Sequence, residues 1–284
     1  MTLSIIRSTW HGFDKIQYLV IFGDSYSDVG YRGQPKFLPV PGDPLGAPFP
    51  GITWNERDEP NWVGHIALQR HIAGNPLLVY DYAIGGQDLE GFRQQIKKLY
   101  IPTVSTKPDW APWTAEDTLF VSWIGINDCG KFFGHLDSDA TMNAYQERLF
   151  NSLQEVYDTG ARNFLFIDVP PMECAPGLQQ ANKAARAAMY NLWNSSLRTG
   201  VRRFANDHAD ATVMLFSSHQ VFRKVLDNPK DYDLDEGTIN DEGGPVWFDF
   251  LHITSQMHGI VAGAIEEFLV AQSPPQPITN APTA

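Results

Sequence analysis

Five short runs of apolar, β-branched and aromatic residues stand out along the chain, and each predicts a buried β-strand. They cover residues 16–22, 77–84, 118–126, 163–169 and 212–216. Helical spacing of apolar residues predicts helices between and after them, over residues 61–71, 88–100, 139–159, 179–209 and 254–270. Strands that alternate with helices favour right-handed crossovers, which make neighbouring strands parallel. The pattern therefore predicts an α/β fold, a three-layer α/β/α sandwich around a five-stranded parallel sheet.

Polar and glycine-rich residues follow the first four of these runs. They read GDS at 23–25, GGQ at 85–87, NDC at 127–129 and PPM at 170–172. Parallel α/β sheets bind their ligands at the carboxyl ends of the strands. The sequence therefore predicts a functional site at this edge of the sheet.

The 284 residues are enough for one large α/β domain. Two long loops, 31–60 and 227–246, are rich in Pro, Gly or polar residues, but neither separates two predicted units. We therefore predict a single domain over residues 1–272. The remaining residues, 273–284, read SPPQPITNAPTA and contain too few apolar side chains to bury, so they are predicted to be disordered.

Charge and composition exclude several classes of partner. The net charge of −12 repels phosphate backbones and anionic lipid headgroups, which argues against nucleic acid as a partner. No run approaches the ~18 uninterrupted apolar residues of a membrane span. The N-terminal residues lack the continuous apolar core of a secretory signal, so none is expected, and the compartment and oligomeric state stay open. Metal-binding spacings such as CxxC and HExxH are absent, so no metal or other cofactor is expected.

The residues for serine-dependent acyl transfer are all present. A serine hydroxyl needs a base, a group that orients the base, and donors for the oxyanion. Ser25 follows the first strand, and a helix starting there would place free N–H groups beside it. Near the C-terminus, Asp249 precedes His252 by three residues, close enough on a turn for its carboxylate to reach Nδ1 of the imidazole. We therefore expect Ser25, His252 and Asp249 to act as nucleophile, base and orienting carboxylate.

Three groups at the strand ends are candidate oxyanion donors. The backbone N–H of Ser25 is the first. Gly86 follows the second strand and has no side chain to hinder a substrate, although Gly85 is an alternative. Asn127 follows the third strand and can offer its side-chain amide.

Four sequence blocks resemble, in order, those of the SGNH or GDSL hydrolases. They read IFGDSYSDVG, DYAIGGQ, WIGINDCG and FDFLHITSQMH, and the resemblance spans residues 22–258. It implies the nucleophile role for Ser25, the oxyanion role for Gly86 and Asn127, and the rest of the triad for Asp249 and His252. No cofactor is implied.

Further segments are similar to the acetylesterases of carbohydrate esterase family 16. They read PLGAPFPG, PNWV, LLVYDYAIGG, WIGINDCG and DVPPMEC. This resemblance implies a flavodoxin-like sandwich and removal of acetyl groups from short xylan-derived or other sugar oligomers. The expected partner is thus a small-molecule or oligosaccharide ester. The characterised members of that family are typically secreted.

Three residues are candidate substrate contacts. The second block usually opens with Asn and here has Asp81, which would add charge near the rim of the site. Gln87 stands where Ala or a small polar residue is usual. Trp54, in the loop 31–60, is a candidate wall of the cleft because sugar faces stack on indole rings.

Three alternatives remain open. A lipase- or phospholipase-like GDSL esterase would need a long apolar acyl groove, and the loop 31–60 shows no obvious apolar lid. A non-catalytic carbohydrate-binding protein on the same scaffold would be expected to lack a triad residue. An acyltransferase would use the same triad with an alcohol in place of water.

Overall fold

A six-stranded mixed sheet forms the centre of the protein in a computed structural model, which describes residues 2–33, 37–178 and 182–275. The strands, in chain order, are β1 Leu3–Ile5, β2 Tyr18–Gly23, β3 Leu78–Asp81, β4 Thr118–Trp123, β5 Asn163–Ile167 and β6 Thr212–Phe216. Their order across the sheet is β1-β6-β5-β4-β2-β3. Strands β2 to β6 are parallel, whereas β1 pairs antiparallel with β6.

The five strands predicted from the hydrophobic pattern all form, and the α/β sandwich is confirmed. The prediction of a wholly parallel five-stranded sheet missed β1. This strand has only three residues and lies at the sheet edge, partly exposed, so it lacks the continuous apolar run of a buried strand. Its backbone pairing with β6, for example Leu3 opposite Leu215, is a long-range contact that no local pattern encodes.

Seven α-helices lie within the described residues. They are α1 Trp62–Ile72, α2 Leu89–Gln94, α3 Ile126–Lys131, α4 Asp139–Asp158, α5 Lys183–Asp207, α6 Ser218–Asp227 and α7 Ser255–Val270. A π-helical turn, Gln95–Tyr100, continues α2. Side chains of Asn61, Asp88 and Thr254 accept hydrogen bonds from free N–H groups at the starts of α1, α2 and α7, which explains where these helices begin. The short helices α3 and α6 were not predicted.

The sheet order places a ligand crevice between β2 and β4. Among the five parallel strands the order is that of flavodoxin-like folds, in which chain connections diverge on either side of the first strand. Every residue of β2, β4, β5 and β6 is buried, so the sheet is covered on both faces. The carboxyl ends of these strands therefore form a rigid floor for a site.

Other predictions concern the chain as a whole. The buried apolar residues form one hydrophobic cluster, while the single-domain assignment stays a prediction. Residues 276–284 of the predicted disordered tail lie outside the described residues. Cys129 and Cys174 are both buried thiols. None of the helices in the described ranges has the length and apolar character needed to cross a membrane.

Candidate active site

Ser25 lies in a tight turn that directly follows β2. The N–H groups of Ser27 and Asp28 donate to the carbonyl of Asp24 at 3.0 and 3.1 Å, and the N–H of Tyr26 donates to the Asp24 carboxyl at 3.1 Å. These bonds make a single helical turn, and no helix continues from it. Within the described residues, the Ser25 N–H has no hydrogen-bond partner. The nucleophile candidate is therefore fixed by its backbone, with a free N–H beside its hydroxyl.

His252 and Asp249 come together in a short loop just before α7. His252 Nε2 lies 3.1 Å from Ser25 Oγ, and His252 Nδ1 lies 2.8 Å from Asp249 Oδ2. The second carboxylate oxygen, Asp249 Oδ1, accepts the backbone N–H groups of Leu251 at 2.7 Å and His252 at 2.6 Å. The structure thus brings the three predicted residues into one continuous chain of hydrogen bonds.

The Asp249 carboxyl is held in its charged form. Partial burial by itself raises its pKa, but the hydrogen bonds from the N–H and the ring of His252 and from the N–H of Leu251 outweigh burial. The pKa therefore lies below its ordinary value. A charged Asp249 keeps the proton of His252 on Nδ1, which leaves Nε2 able to accept a proton from Ser25.

The two remaining oxyanion candidates, Gly86 and Asn127, lie next to the turn that carries Ser25. Gly86 has a φ of 77°, in the left-handed region that favours glycine, and its N–H has no partner within the described chain. The N–H of Gly85 instead donates to Asp28 at 3.0 Å, which favours Gly86 as the available donor. Asn127 Nδ2 donates to the Gln87 carbonyl at 2.9 Å and lies 3.5 Å from Asp24 Oδ2. One amide hydrogen of Asn127 therefore anchors it, and the other is only weakly engaged.

Trp54 forms a wall of the site. Its ring lies 5.2 Å from the His252 ring, at an interplanar angle of 32°. A Cβ on Gly85 would come within 2.3 Å of the same indole, so only glycine allows this approach. The indole Nε1 donates to Asp28 at 3.3 Å, and 46% of Trp54 stays exposed. Trp54 is thus packed between His252 and Gly85, with a free surface toward solvent.

Asp81 and Gln87 do not offer side chains to a substrate, which corrects two of the predicted contacts. Asp81 is fully buried at the end of β3, where its carboxyl accepts the N–H of Ala83 at 2.9 Å. Burial also raises its pKa well above the ordinary value, and the side chain lies away from the rim of the site. The Gln87 side chain lies against Gly91 of α2, and Gln87 reaches the site only through its carbonyl.

Two further groups beside the site were missed by the sequence analysis. Asp28 accepts hydrogen bonds from Trp54 and Gly85, and Tyr26 donates its hydroxyl to the Leu251 carbonyl at 2.9 Å. Asp28 is three residues after Ser25, but its partners Trp54 and Gly85 are distant in sequence. No local spacing therefore indicated its role.

Two buried carboxyls lie under the site. Burial raises the pKa of Asp24 to about 7 and that of Asp128 to about 6. Asp128 accepts the N–H of Leu89 and the hydroxyl of Tyr145, so it joins α3 to α2 and α4. Asp24 also lies beside Asn127, with its Oδ2 3.5 Å from Nδ2 of that amide.

Metal-binding geometry is not found at this site. Among the residues that the structure describes, no group of three or more His, Cys, Asp and Glu side chains is arranged to hold a metal ion.

Comparison with known proteins identifies the family of the chain. Residues 19–265 match the GDSL-like Lipase/Acylhydrolase family. The chain is 30% identical over 270 residues to an acetylesterase of Thermothelomyces thermophilus. The matched region covers 88% of this chain and 87% of the relative. An acetylesterase of Hypocrea jecorina is 25% identical over 175 residues, covering 55% of this chain and 48% of the relative.

A solved structure shows the same fold. Axe2, an acetylxylan esterase from Geobacillus stearothermophilus, superposes with a TM-score of 0.56 at 15% identity, covering 90% of this chain and 95% of that one. The resemblance carried by the sequence blocks is thereby confirmed. The chain belongs to the GDSL-like lipase/acylhydrolase family, and it is a carboxylic ester hydrolase.

Proposed function

We propose that Ser25, His252 and Asp249 are the catalytic triad of a short-chain esterase. The observation that carries this proposal is the unbroken hydrogen-bond chain from Ser25 Oγ through both ring nitrogens of His252 to Asp249. The proposed oxyanion hole consists of the N–H groups of Ser25 and Gly86 and the side-chain amide of Asn127. Its support is that both N–H groups lack partners among the described residues.

The reaction proceeds in two acyl-transfer steps. Ser25 Oγ bonds to the ester carbon while its proton moves to His252 Nε2, and the carbonyl electron pair becomes an oxyanion. Collapse of this intermediate breaks the bond to the alcohol, which leaves with the proton from Nε2. Water then attacks the acyl-serine and gives a proton to Nε2. The second collapse releases the carboxylic acid and returns the proton to Ser25.

The proposed substrates are acetyl esters, with O-acetyl groups on sugars or xylo-oligosaccharides as the leading class. The acetylesterase relatives support the acetyl group. Trp54 supports both the acetyl group and the sugar as parts of the substrate. It narrows the space between His252 and Gly85, which favours a small acyl group. It also leaves an exposed aromatic surface on which a sugar can stack.

Replacing the nucleophile tests the mechanism. Ser25→Ala should lower kcat on p-nitrophenyl acetate by on the order of 10³-fold or more, because the hydroxyl that forms the acyl-enzyme is lost. The matched control is Ser195→Ala, at an exposed serine of α5, which should keep full activity. Full activity of Ser25→Ala would overturn the proposed triad.

A specific observation also favours the longer-acyl alternative. Four large apolar side chains of the loop that precedes α1 are 45–75% exposed: Phe37, Val40, Phe49 and Ile52. Such a surface can receive an acyl chain, and the sequence pattern had shown no apolar lid there. The ratio of kcat/KM on p-nitrophenyl octanoate to that on acetate separates the two functions. A ratio well below one supports the acetylesterase, and a ratio above one supports the lipase-like alternative.

A further inference from the structure

Asp28 has an unusually complete set of hydrogen bonds for a carboxylate beside an active site. Its side chain is 3% exposed. Oδ1 accepts the N–H of Gly30 at 2.8 Å and Nη1 of Arg32 at 2.9 Å. Oδ2 accepts the N–H of Gly85 at 3.0 Å, Nη2 of Arg32 at 3.2 Å and Nε1 of Trp54 at 3.3 Å. A single buried carboxylate thus binds three separate segments of the chain.

Two of these segments form the walls of the site, and the third supplies charge. Trp54 lies on the ring of His252, while Gly85 immediately precedes the oxyanion candidate Gly86. Arg32 compensates the carboxylate, and its own side chain is 41% exposed. Asp28 itself ends the turn that carries Ser25. The segments that carry Ser25, Trp54 and Gly86 therefore meet at one carboxylate.

We propose that Asp28 is a positioning residue of the esterase, whose carboxylate fixes Trp54 against His252 and fixes Gly85 so that the N–H of Gly86 faces the reacting carbonyl. This inference rests on the proposed function of the site. Asp28 does not touch the reacting atoms, and it acts through the two groups that it holds.

The chemistry of the side chain explains why asparagine cannot replace it. A carboxylate is acceptor-only and offers about four lone-pair sites, which serve the five N–H groups donated by Gly30, Gly85, Trp54 and Arg32. An asparagine at this position offers one accepting oxygen, and its NH₂ group would face donors. If the NH₂ group takes the place of Oδ2, the contacts to Trp54 and Gly85 are lost. If it takes the place of Oδ1, it faces the donors of Gly30 and Arg32, and Trp54 and Gly85 keep only a neutral acceptor, which binds them more weakly than a carboxylate. A displacement of about 1 Å in such a group can cost about 10²-fold in rate.

The main experiment compares Asp28→Asn with Asp14→Asn on p-nitrophenyl acetate. Asp14→Asn is the matched control because it removes the same negative charge. Asp14 is exposed and lies before β2, at the opposite end of the strand from Ser25. We expect kcat of Asp28→Asn to fall about 30-fold or more with KM changed less than about threefold, and Asp14→Asn to match the wild type. The endpoint of labelling with a fluorophosphonate counts the competent sites. The rate of the labelling reports how well the groups in each site are arranged.

Two results would overturn the proposal. One is a kcat for Asp28→Asn within about threefold of the wild type. The other is a loss of kcat that equals the loss of labelled sites, because a purely structural residue reduces the number of competent molecules and leaves each one unchanged. Failure of the proposed function is recognised separately, since Ser25→Ala would then stay active.

A second variant keeps the test valid if Asp28→Asn does not fold. Trp54→Phe keeps an aromatic ring and removes the Nε1 donor together with one of the two fused rings, while Arg32 and Gly85 still satisfy Asp28. We expect a fall in kcat of about fivefold, with the labelling endpoint unchanged. In a foldable Asp28→Asn background, Trp54→Phe should add little, because both changes remove one interaction. Unchanged kcat in Trp54→Phe, or full additivity in the double variant, contradicts the proposal.

Discussion

The two sides of the active site differ in how they are held. On one side, Ser25 and Asn127 follow the buried parallel strands β2 and β4 and are fixed by turns and helix starts. On the other side, the loop that precedes α1 carries apolar side chains at the surface, with Ile52 75% exposed and Phe49 45% exposed. Ser25 and Asn127 are therefore positioned by the sheet, whereas the exposed apolar side chains of the loop are not.

This difference separates catalysis from specificity. Groups that stabilise a transition state must be held within a fraction of an ångström, and strand ends provide this. A loop on the surface can change its side chains without disturbing the core. Trp54 is the exception in the loop, because its contacts with Asp28, Gly85 and His252 attach it to the rigid side.

Beyond the change at Ser25 itself, the largest effect should come from breaking the rigid side at Asn127. Asn127→Ala removes a proposed oxyanion donor, so kcat on p-nitrophenyl acetate should fall by about 10²- to 10³-fold, or ~3 kcal/mol in the barrier, with KM little changed. Steady-state kinetics with Asn151→Ala, an exposed asparagine of α4, provides the comparison. If Asn127→Ala mainly raised KM, the amide would bind the ground state and not the oxyanion.

A smaller effect is expected on stability, from the buried carboxyl of Asp24 beside the Ser25 turn. Burial raises the pKa of Asp24 from 3.8 to about 7 in the folded chain. Its contribution to stability is therefore fully present below pH 3.8 and is lost as the pH rises through about 7. Asp24 by itself therefore lowers the free energy of unfolding between pH 5 and pH 8.

Asp24→Asn should reduce this fall by on the order of 2 kcal/mol, because asparagine does not titrate. Urea unfolding at the two pH values measures the difference. Asp14→Asn, at an exposed site, should leave the pH dependence as it is. An identical fall in Asp24→Asn and the wild type would mean that Asp24 is not the group that titrates.

The smallest effect should come from a change in the exposed loop that precedes α1. Ile52→Asn removes an apolar side chain from the loop, so kcat/KM on p-nitrophenyl octanoate should fall about fivefold, while that on acetate changes less than twofold. Ile72→Asn is the matched control, because Ile72 is equally exposed, at 75%, at the far end of α1. Equal effects of the two variants would show that the loop does not contact the acyl chain.

The sequence by itself determined the five parallel strands, the main helices and the class of chemistry. Buried parallel strands are marked by continuous apolar runs, and the residues directly after them fall at one edge because the crossovers share one hand. Ser25 and Asn127 could be assigned to that edge for this reason. Asp249 and His252 were recognisable because three-residue spacing is local, and the structure brings them to Ser25 as expected.

Only the tertiary structure decided which side chains face the cleft. Asp81 and Gln87 follow the right strand, but burial at the sheet and packing on α2 turn their side chains away from a substrate. The role of Asp28 depends on Trp54 and Gly85, which lie 26 and 57 residues away. Strand β1 likewise needs β6, more than 200 residues later. Hydrophobic periodicity records which residues are buried, whereas the partner of a polar group is set by contacts between distant segments.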